Sequence, residues 1–435
     1  MKKLISLILA LCLVAALFAG CAGQQEPSTP TGSETPSNAP SEDNVPQEDP
    51  TATPHQIGVF VTEWNQNMLM MRDYYDNYIA PAFNVTFVYS DGTSNDVEKV
   101  ISFVENCATM GVEALISWNP LPTDNNIAVG AKCEEYGIWY VYNNSATDHN
   151  LDQFPHFVGV GGAAPEPVAA QFAEMTDKVL GDGEKHNVIL HNGLCFSGVE
   201  QHIQTAASIL DTLASKYGLT YAGGQTTREM VTTINSQTEL DTGTDMKVFL
   251  EPTLMGNITP DIYFNILKDG VYDTVIFTGP AYNKIETAVD DVEKQTGKNI
   301  HVISIAAVTD TTRNSFATLD STGHQSLDAA LIKNTTSCGV IFCLTYNALT
   351  GHAADLRIDN ATQLFDAPMW TCYSLEEYEK IAQLDNAETG LYSWTVDEIK
   401  NACFAFNPDL TVEGLQKIAA DKLDLAAVLE ANGIN

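Results

Sequence analysis

The sequence predicts an α/β protein built as two doubly wound, parallel-sheet lobes, and three observations carry that expectation. The chain has 435 residues, more than one core accommodates, since single cores stop growing near roughly 250–300 residues. Short β-rich runs alternate with single helical stretches about every 20–30 residues, the signature of βαβ units. After Gly162 the pattern starts over, which reads as a second sheet and not as the continuation of one closed ring. Hydrophobic residues make up 44% of the chain, enough to fill two cores and too many for disorder.

In chain order, residues 1–20 read as an export signal and not as fold. Lys2 and Lys3 precede an apolar run, Ile5 to Phe18, of 14 residues, too short for a stable membrane span. The run closes on Leu17-Phe18-Ala19-Gly20-Cys21, which resembles the lipobox of bacterial lipoproteins. That resemblance implies cleavage before Cys21, lipid attachment to its thiol and an extracytoplasmic place on the cell membrane. Each buried CH₂ contributes ~0.8 kcal/mol, so two or three acyl chains hold a protein stably. Residues 21–56 read as a tether: seven of the 18 prolines fall there, with six acidic residues, no Lys or Arg, and many Ser and Thr. Such a segment cannot bury a core.

The globular part then justifies the fold element by element. Ile57–Val61, Asn84–Tyr89, Glu113–Trp118, Ile138–Tyr142 and Phe157–Val160 read as strands of a first lobe, residues 57–162. Between them Met68–Ile79, the helically spaced Val97, Val100, Ile101, Val104 and Ala108, and Ile127–Tyr136 read as helices, the last two stopped by Gly111 and Gly137. In a second lobe, residues 163–332, Pro167–Leu180 and Val199–Tyr217 read as helices. Asn187–His191, Leu219–Ala222, Lys247–Leu250, Asp273–Thr278, Ile300–Ile305 and Leu327–Ile332 read as its strands.

Charge excludes several classes of function. The chain carries 56 Asp+Glu against 21 Lys+Arg, a formal charge of −35, which becomes −37 when Lys2 and Lys3 leave with the signal. A nucleic-acid backbone needs Lys/Arg clusters, and none occurs. Seven cysteines remain after Cys12 and Cys21 are set aside (Cys107, Cys133, Cys195, Cys338, Cys343, Cys372 and Cys403). Seven is odd, the spacings are wide and no C-x-x-C occurs, so neither a zinc ribbon nor a redox pair is supported. The nine histidines are scattered, and no cofactor or metal site is expected.

The segments IGVFVTEWNQNMLM, VEKVISFVENCATMGVEALISWNP, AVGAKCEEYGIWYVYNNSA and HFVGVGGAAPEPVAAQFAEMTDKVLG resemble the type I periplasmic substrate-binding proteins, the ribose- and galactose-binding branch in particular. The match runs over residues 57–365, and APMWTCYSLEEYEKI resembles the tail of that family. The resemblance implies two Rossmann-like lobes joined by a hinge of three crossovers, with part of residues 333–365 returning to the first lobe and residues 366–435 forming a C-terminal strand and added helices. It also implies a monomer that delivers a small neutral ligand, a sugar first of all, to an ABC permease, touching the membrane through its lipid anchor.

Ligands of parallel sheets bind beyond the carboxyl ends of the strands, so the residues after each strand are the candidates. They are Trp64, Asn65 and Gln66; Trp118 and Asn119; Asn143 and Asn144; Asn192; Tyr282; and Asp310 and Arg313. Indole faces stack on sugar C–H faces, and carboxamides offer hydroxyls both a donor and an acceptor. The sequence departs from the ribose-binding pattern where Asn143-Asn144 replaces Asp-Arg, Gly279-Pro280 replaces Asn-Asp and Ala306-Ala307 replaces an acid. With those charges absent, a nucleoside or aromatic metabolite is the alternative ligand.

The residues support enzymatic functions less well. Gly159-Val-Gly-Gly-Ala-Ala164 falls short of a dinucleotide fingerprint at its last glycine, and no catalytic residues are expected. The enzymatic alternative is a surface-anchored glycosidase, with Glu63 and Glu251 as carboxylates at strand ends. A tethered sensor of the same fold is the third reading.

Overall fold

A computed structural model describes residues 49–434 apart from 94–95, 119–120, 334–335 and 387. The signal, Cys21, most of the tether and Asn119 therefore lie outside the described residues. The chain is fixed to the body before Ile57: Pro50 accepts a hydrogen bond from the Tyr346 hydroxyl at 3.0 Å, and Thr51 one from the Asn84 carboxamide at 3.0 Å.

Thirteen strands form two sheets among the described residues. The first contains β1 (His55–Phe60), β2 (Val85–Tyr89), β3 (Ala114–Ser117), β4 (Trp139–Asn143), β5 (Phe157–Gly162) and β12 (Leu364–Asp366), in the all-parallel order β2-β1-β3-β4-β5-β12. The second contains β6 (Val188–His191), β7 (Thr238–Leu240), β8 (Val248–Glu251), β9 (Thr274–Phe277), β10 (His301–Ala307), β11 (Ala329–Lys333) and β13 (Trp370–Cys372). Its order is β7-β8-β6-β9-β10-β11-β13, parallel except at the two edge strands. Each sheet thus has its first strand flanked by its next two parallel neighbours, the switch point at which doubly wound folds place a ligand.

Burial explains the β-rich runs. Val188 and Leu190 of β6 pack on the helices Pro165–Val179 and Glu200–Tyr217, while Ile189 between them packs against the core that holds Pro260–Leu267 and Tyr282–Thr296. In the first sheet Ile57 and Val59 face the helix Thr336–Leu349, and Phe60, Leu115 and Tyr140 face Val97–Met110 and Thr123–Tyr136. Strands covered on both faces read as continuous apolar runs.

Leu219–Ala222 is not a strand. The helix before it ends at Gly218 in the left-handed conformation, and Thr220 and Ala222 donate to Thr242 and Asp241 across a bend. The edge of that sheet is filled instead by the antiparallel β7, which has too few apolar residues to be read from pattern alone.

The lobes are joined where β5 leads into the helix Pro165–Val179, where β11 leads into Thr336–Leu349, and where β12 leads into β13. Gly162 sits at the first crossing. A β-carbon there would lie 2.0 Å from the Asn144 carbonyl oxygen, so the glycine run is needed for chain passage. The Asp366 carboxylate accepts from the Ala164 N–H at 2.8 Å and ties the first crossing to the third.

The last fifty residues cross the hinge twice more. Leu384 packs in the second lobe, Tyr392, Trp394, Ile399 and Leu415 in the first, and Val428 and Ile434 in the second again. No helix among the described residues is long and apolar enough to cross a membrane.

Candidate functional site

A cavity of about 420 Å³ opens between the lobes at the carboxyl ends of the parallel strands. From the first lobe, Asn65, Asn67, Met68, Met70 and Met71 follow β1, Trp118 follows β3, Asn143 to Ser145 close β4, and Ala163 follows β5. From the second lobe come Val199, Gln201 and His202 after β6, Pro280 after β9, and Ala306 and Ala307 on β10. Thr336 to Cys338, Ala367 and Met369 form the hinge wall.

The described lining contains no Asp, Glu, Lys or Arg, in a chain whose formal charge is −35. A charged group in a cleft would need a partner or pay desolvation, and here the chain supplies carboxamides, hydroxyls and thioethers instead. Several of these are already oriented. Asn143 donates to the Gly161 carbonyl at 2.8 Å, which leaves its carboxamide oxygen as an acceptor. Asn144 accepts from the Ser145 N–H at 2.8 Å, which leaves its NH₂ as a donor. His202 donates from Nδ1 to the Thr278 carbonyl at 2.9 Å, fixing the ring's tautomer when neutral.

Three lining residues hold a buried polar atom that has no partner within the protein: Trp118 Nε1, Ser145 Oγ and Gln201 Nε2. Native interiors pair nearly all such atoms. Two of the three are obligate donors, and they come from opposite lobes.

Four of the residues read from the sequence, Asn65, Trp118, Asn143 and Asn144, meet in this cavity. The other described ones do not line it. Trp64 turns away onto Tyr89, whose ring is 5.6 Å distant, beneath the Arg72 guanidinium at 5.5 Å. Gln66 is exposed at the start of the helix Gln66–Asp73. Asn192 is fully buried and donates to the Val231 and Ile234 carbonyls at 3.1 Å, so it braces the helix Thr227–Thr233. Tyr282 is a core residue of the second lobe. Asp310 is an exposed first-turn residue, and Arg313 pairs with Glu379 at 2.5 Å on the surface. Even Asn65 has a structural task, capping its helix by accepting from the Met68 N–H at 3.1 Å.

The carboxylates of the glycosidase alternative do not face each other in the cavity. Glu63 is exposed and accepts from Asn65 at 2.8 Å. Glu251 is fully buried in the second lobe, where it accepts from Thr253 Oγ1 at 2.5 Å and from Tyr263 at 3.4 Å. Burial pushes the pKa of His191 beside it down.

Sequence reasoning missed the methionines, Ser145 and the hinge wall; Asn67 follows the first strand directly, and Gln201 and His202 fall in the stretch 192–202 expected to face the ligand. One signal was present: Met68, Met70 and Met71 follow the first strand directly, on the one loop-to-helix turn already singled out.

No family model and no curated protein matches the chain by sequence. Solved structures do match it. An ABC transporter solute-binding protein from Bacillus halodurans with bound myo-inositol aligns with a TM-score of 0.50 at 16% identity, over 75% of this chain and 97% of that one. A solute-binding protein from Agrobacterium vitis with bound D-fucose aligns at 0.50 and 13%, over 78% and 100%. A galactofuranose-binding protein aligns at 0.50 and 12%, over 75% and 98%. The chain has the fold of the type I periplasmic binding proteins.

Proposed function

We propose that the protein captures a small neutral solute bearing sugar hydroxyls between its lobes, outside the cell, and passes it unaltered to an ABC permease. The observation that carries this reading is an uncharged cleft lined from both lobes, with unpartnered buried donors on either side. A ligand that accepts from Trp118 on one lobe and Gln201 on the other satisfies both only when the lobes hold it together. Binding energy then stabilises the closed form, by as much as the ligand's differential affinity for the two forms. The sugars bound by the structural neighbours support hydroxyl recognition here.

In this reading Asn143, Asn144 and Ser145 supply acceptor and donor to hydroxyls, and Trp118 and Gln201 donate across the cleft. Cys21 carries the lipid, residues 22–48 form the spacer, and closure presents a joint surface of both lobes to the permease.

The test is a thermal-shift and calorimetric screen of the full chain against neutral sugars, polyols and nucleosides. A ligand at 100 times its Kd raises stability by about 2.7 kcal/mol, which a melting curve resolves. Turnover of the bound compound, or failure of every neutral solute to bind, would refute the proposal.

A further inference from the structure

The order of the strands divides the cleft into two chemically different ends. In the first sheet β3 lies between β1 and β4. The residues after these strands are therefore laid out in the same order: Asn65, Asn67, Met68, Met70 and Met71 at one end, Trp118 in the middle, Asn143 to Ser145 at the other. A fourth thioether, Met369, comes from the hinge.

Resting on the capture reading above, we infer that the solute is a nucleoside: a neutral sugar joined to a flat aromatic base. The carboxamide end offers the acceptor of Asn143, the donor of Asn144 and the hydroxyl of Ser145, the mixture that ribose hydroxyls require. The methionine end offers little beyond the carboxamide of Asn67, because Asn65 is already engaged with Glu63 and the Met68 N–H and a thioether sulfur is a weak acceptor. A free hexose or inositol carries hydroxyls around its whole ring, so some would face thioethers with their protons unpaired. An aromatic base avoids that penalty, and polarizable sulfur makes favourable contacts with ring edges and faces. The unpartnered Trp118 and Gln201 N–H groups suit the ring nitrogens and carbonyls of a base, which accept without donating. A nucleotide is disfavoured, since the described lining holds no cation to meet a phosphate and the chain as a whole is strongly acidic.

Calorimetry on the full chain tests the inference with adenosine, uridine, ribose, myo-inositol, D-fucose and AMP. At least one nucleoside is expected to bind 100-fold or more tighter than ribose and the other free polyols, and 100-fold or more tighter than AMP. The M68Q/M70Q double variant is expected to lose at least ten-fold in nucleoside affinity while its melting temperature without ligand stays unchanged. A free sugar or polyol that binds as tightly as either nucleoside would overturn the nucleoside assignment and leave the capture reading standing. AMP binding as tightly as adenosine would overturn it too. If neither nucleosides nor polyols bind, the capture reading falls with it.

Discussion

Trp118 and Trp64 differ by what surrounds them, and that difference makes a sharp test at the scale of single residues. Trp118 has a buried indole N–H without a partner at the cavity, whereas Trp64 already packs edge-on against Tyr89 beneath the Arg72 guanidinium. Trp118→Phe keeps a ring and removes the donor, so solute affinity should fall by about 1–2 kcal/mol, a single hydrogen bond's worth. Trp64→Ala should leave affinity unchanged. Calorimetry of the two variants checks this, and equal losses would show that the cleft has been assigned to the wrong tryptophan. A second residue-scale test concerns His186, which lies 3.0 Å from Asp182 and 3.4 Å from Asp273. Hydrogen bonds to Asp273 and Asp182 push its pKa up to about 9. A raised histidine contributes stability fully below its unfolded value near 6.5 and loses it as pH rises through about 9. Glu293 acts in the same direction: burial pushes it up to about 7, so ionising it penalises the fold as pH climbs from its ordinary 4.5. Urea denaturation should therefore give a stability on the order of 2 kcal/mol lower at pH 9.5 than at pH 6, and His186→Gln should flatten that slope. The thiols are a third case. All seven described cysteines are buried and free, so denatured, unreduced protein beginning after Cys21 should titrate seven thiols.

At the scale of elements, the glycine run before the first crossing is decisive. Gly162→Ala would set a methyl against the Asn144 carbonyl, at a site where backbone must move. A loss of about 1–3 kcal/mol in stability is expected, as for overpacked cores, with solute affinity lowered in parallel because Asn144 lines the cleft. Chemical denaturation with calorimetry on the same variant checks both. The elements that were legible in the sequence are those buried on two faces. The stretches 188–190 and 275–277 are apolar throughout and bounded by polar residues. Those that were not legible draw their stability from elsewhere. β12 and β7 have three residues each and exist by pairing with an established neighbour. Leu219–Ala222 has strand-like composition but follows a helix end directly and reaches the neighbouring chain through only the two backbone bonds to Thr242 and Asp241 across a bend. The site was half legible for a related reason. Strand ends can be named from sequence, but which side chain turns toward the cleft depends on partners far along the chain. Asn192 is claimed by Val231 and Ile234, and Tyr282 by the core.

For the whole molecule, the controlling feature is the C-terminal segment that passes between the lobes twice more. Three crossings suffice to define two lobes, and this chain adds two more. Their meeting point is Lys422, a buried lysine. Its ammonium lies 2.5 Å from Glu398 and 5.2 Å from the Trp394 ring, both on the first-lobe side, while its carbonyl accepts from Trp370 Nε1 of β13 in the second lobe at 2.8 Å. Trp394 in turn sits against Gly339 of the helix that leaves the hinge. Because these contacts tie groups of both lobes together, rotation about the crossings strains them, so the segment should limit how far the ligand-free lobes open compared with three crossings alone. Pre-organisation of that kind strengthens binding by lowering the cost of reaching the competent form. Lys422→Ala removes the charge link and the cation–π contact while leaving the backbone acceptor for Trp370. Its ligand-free radius of gyration, measured by small-angle scattering, should exceed that of the unaltered chain and return to it when the solute is added. Solute affinity should fall several-fold through slower association, with the cleft residues untouched. An unchanged radius together with an unchanged association rate would show that the segment passes between the lobes without governing their opening.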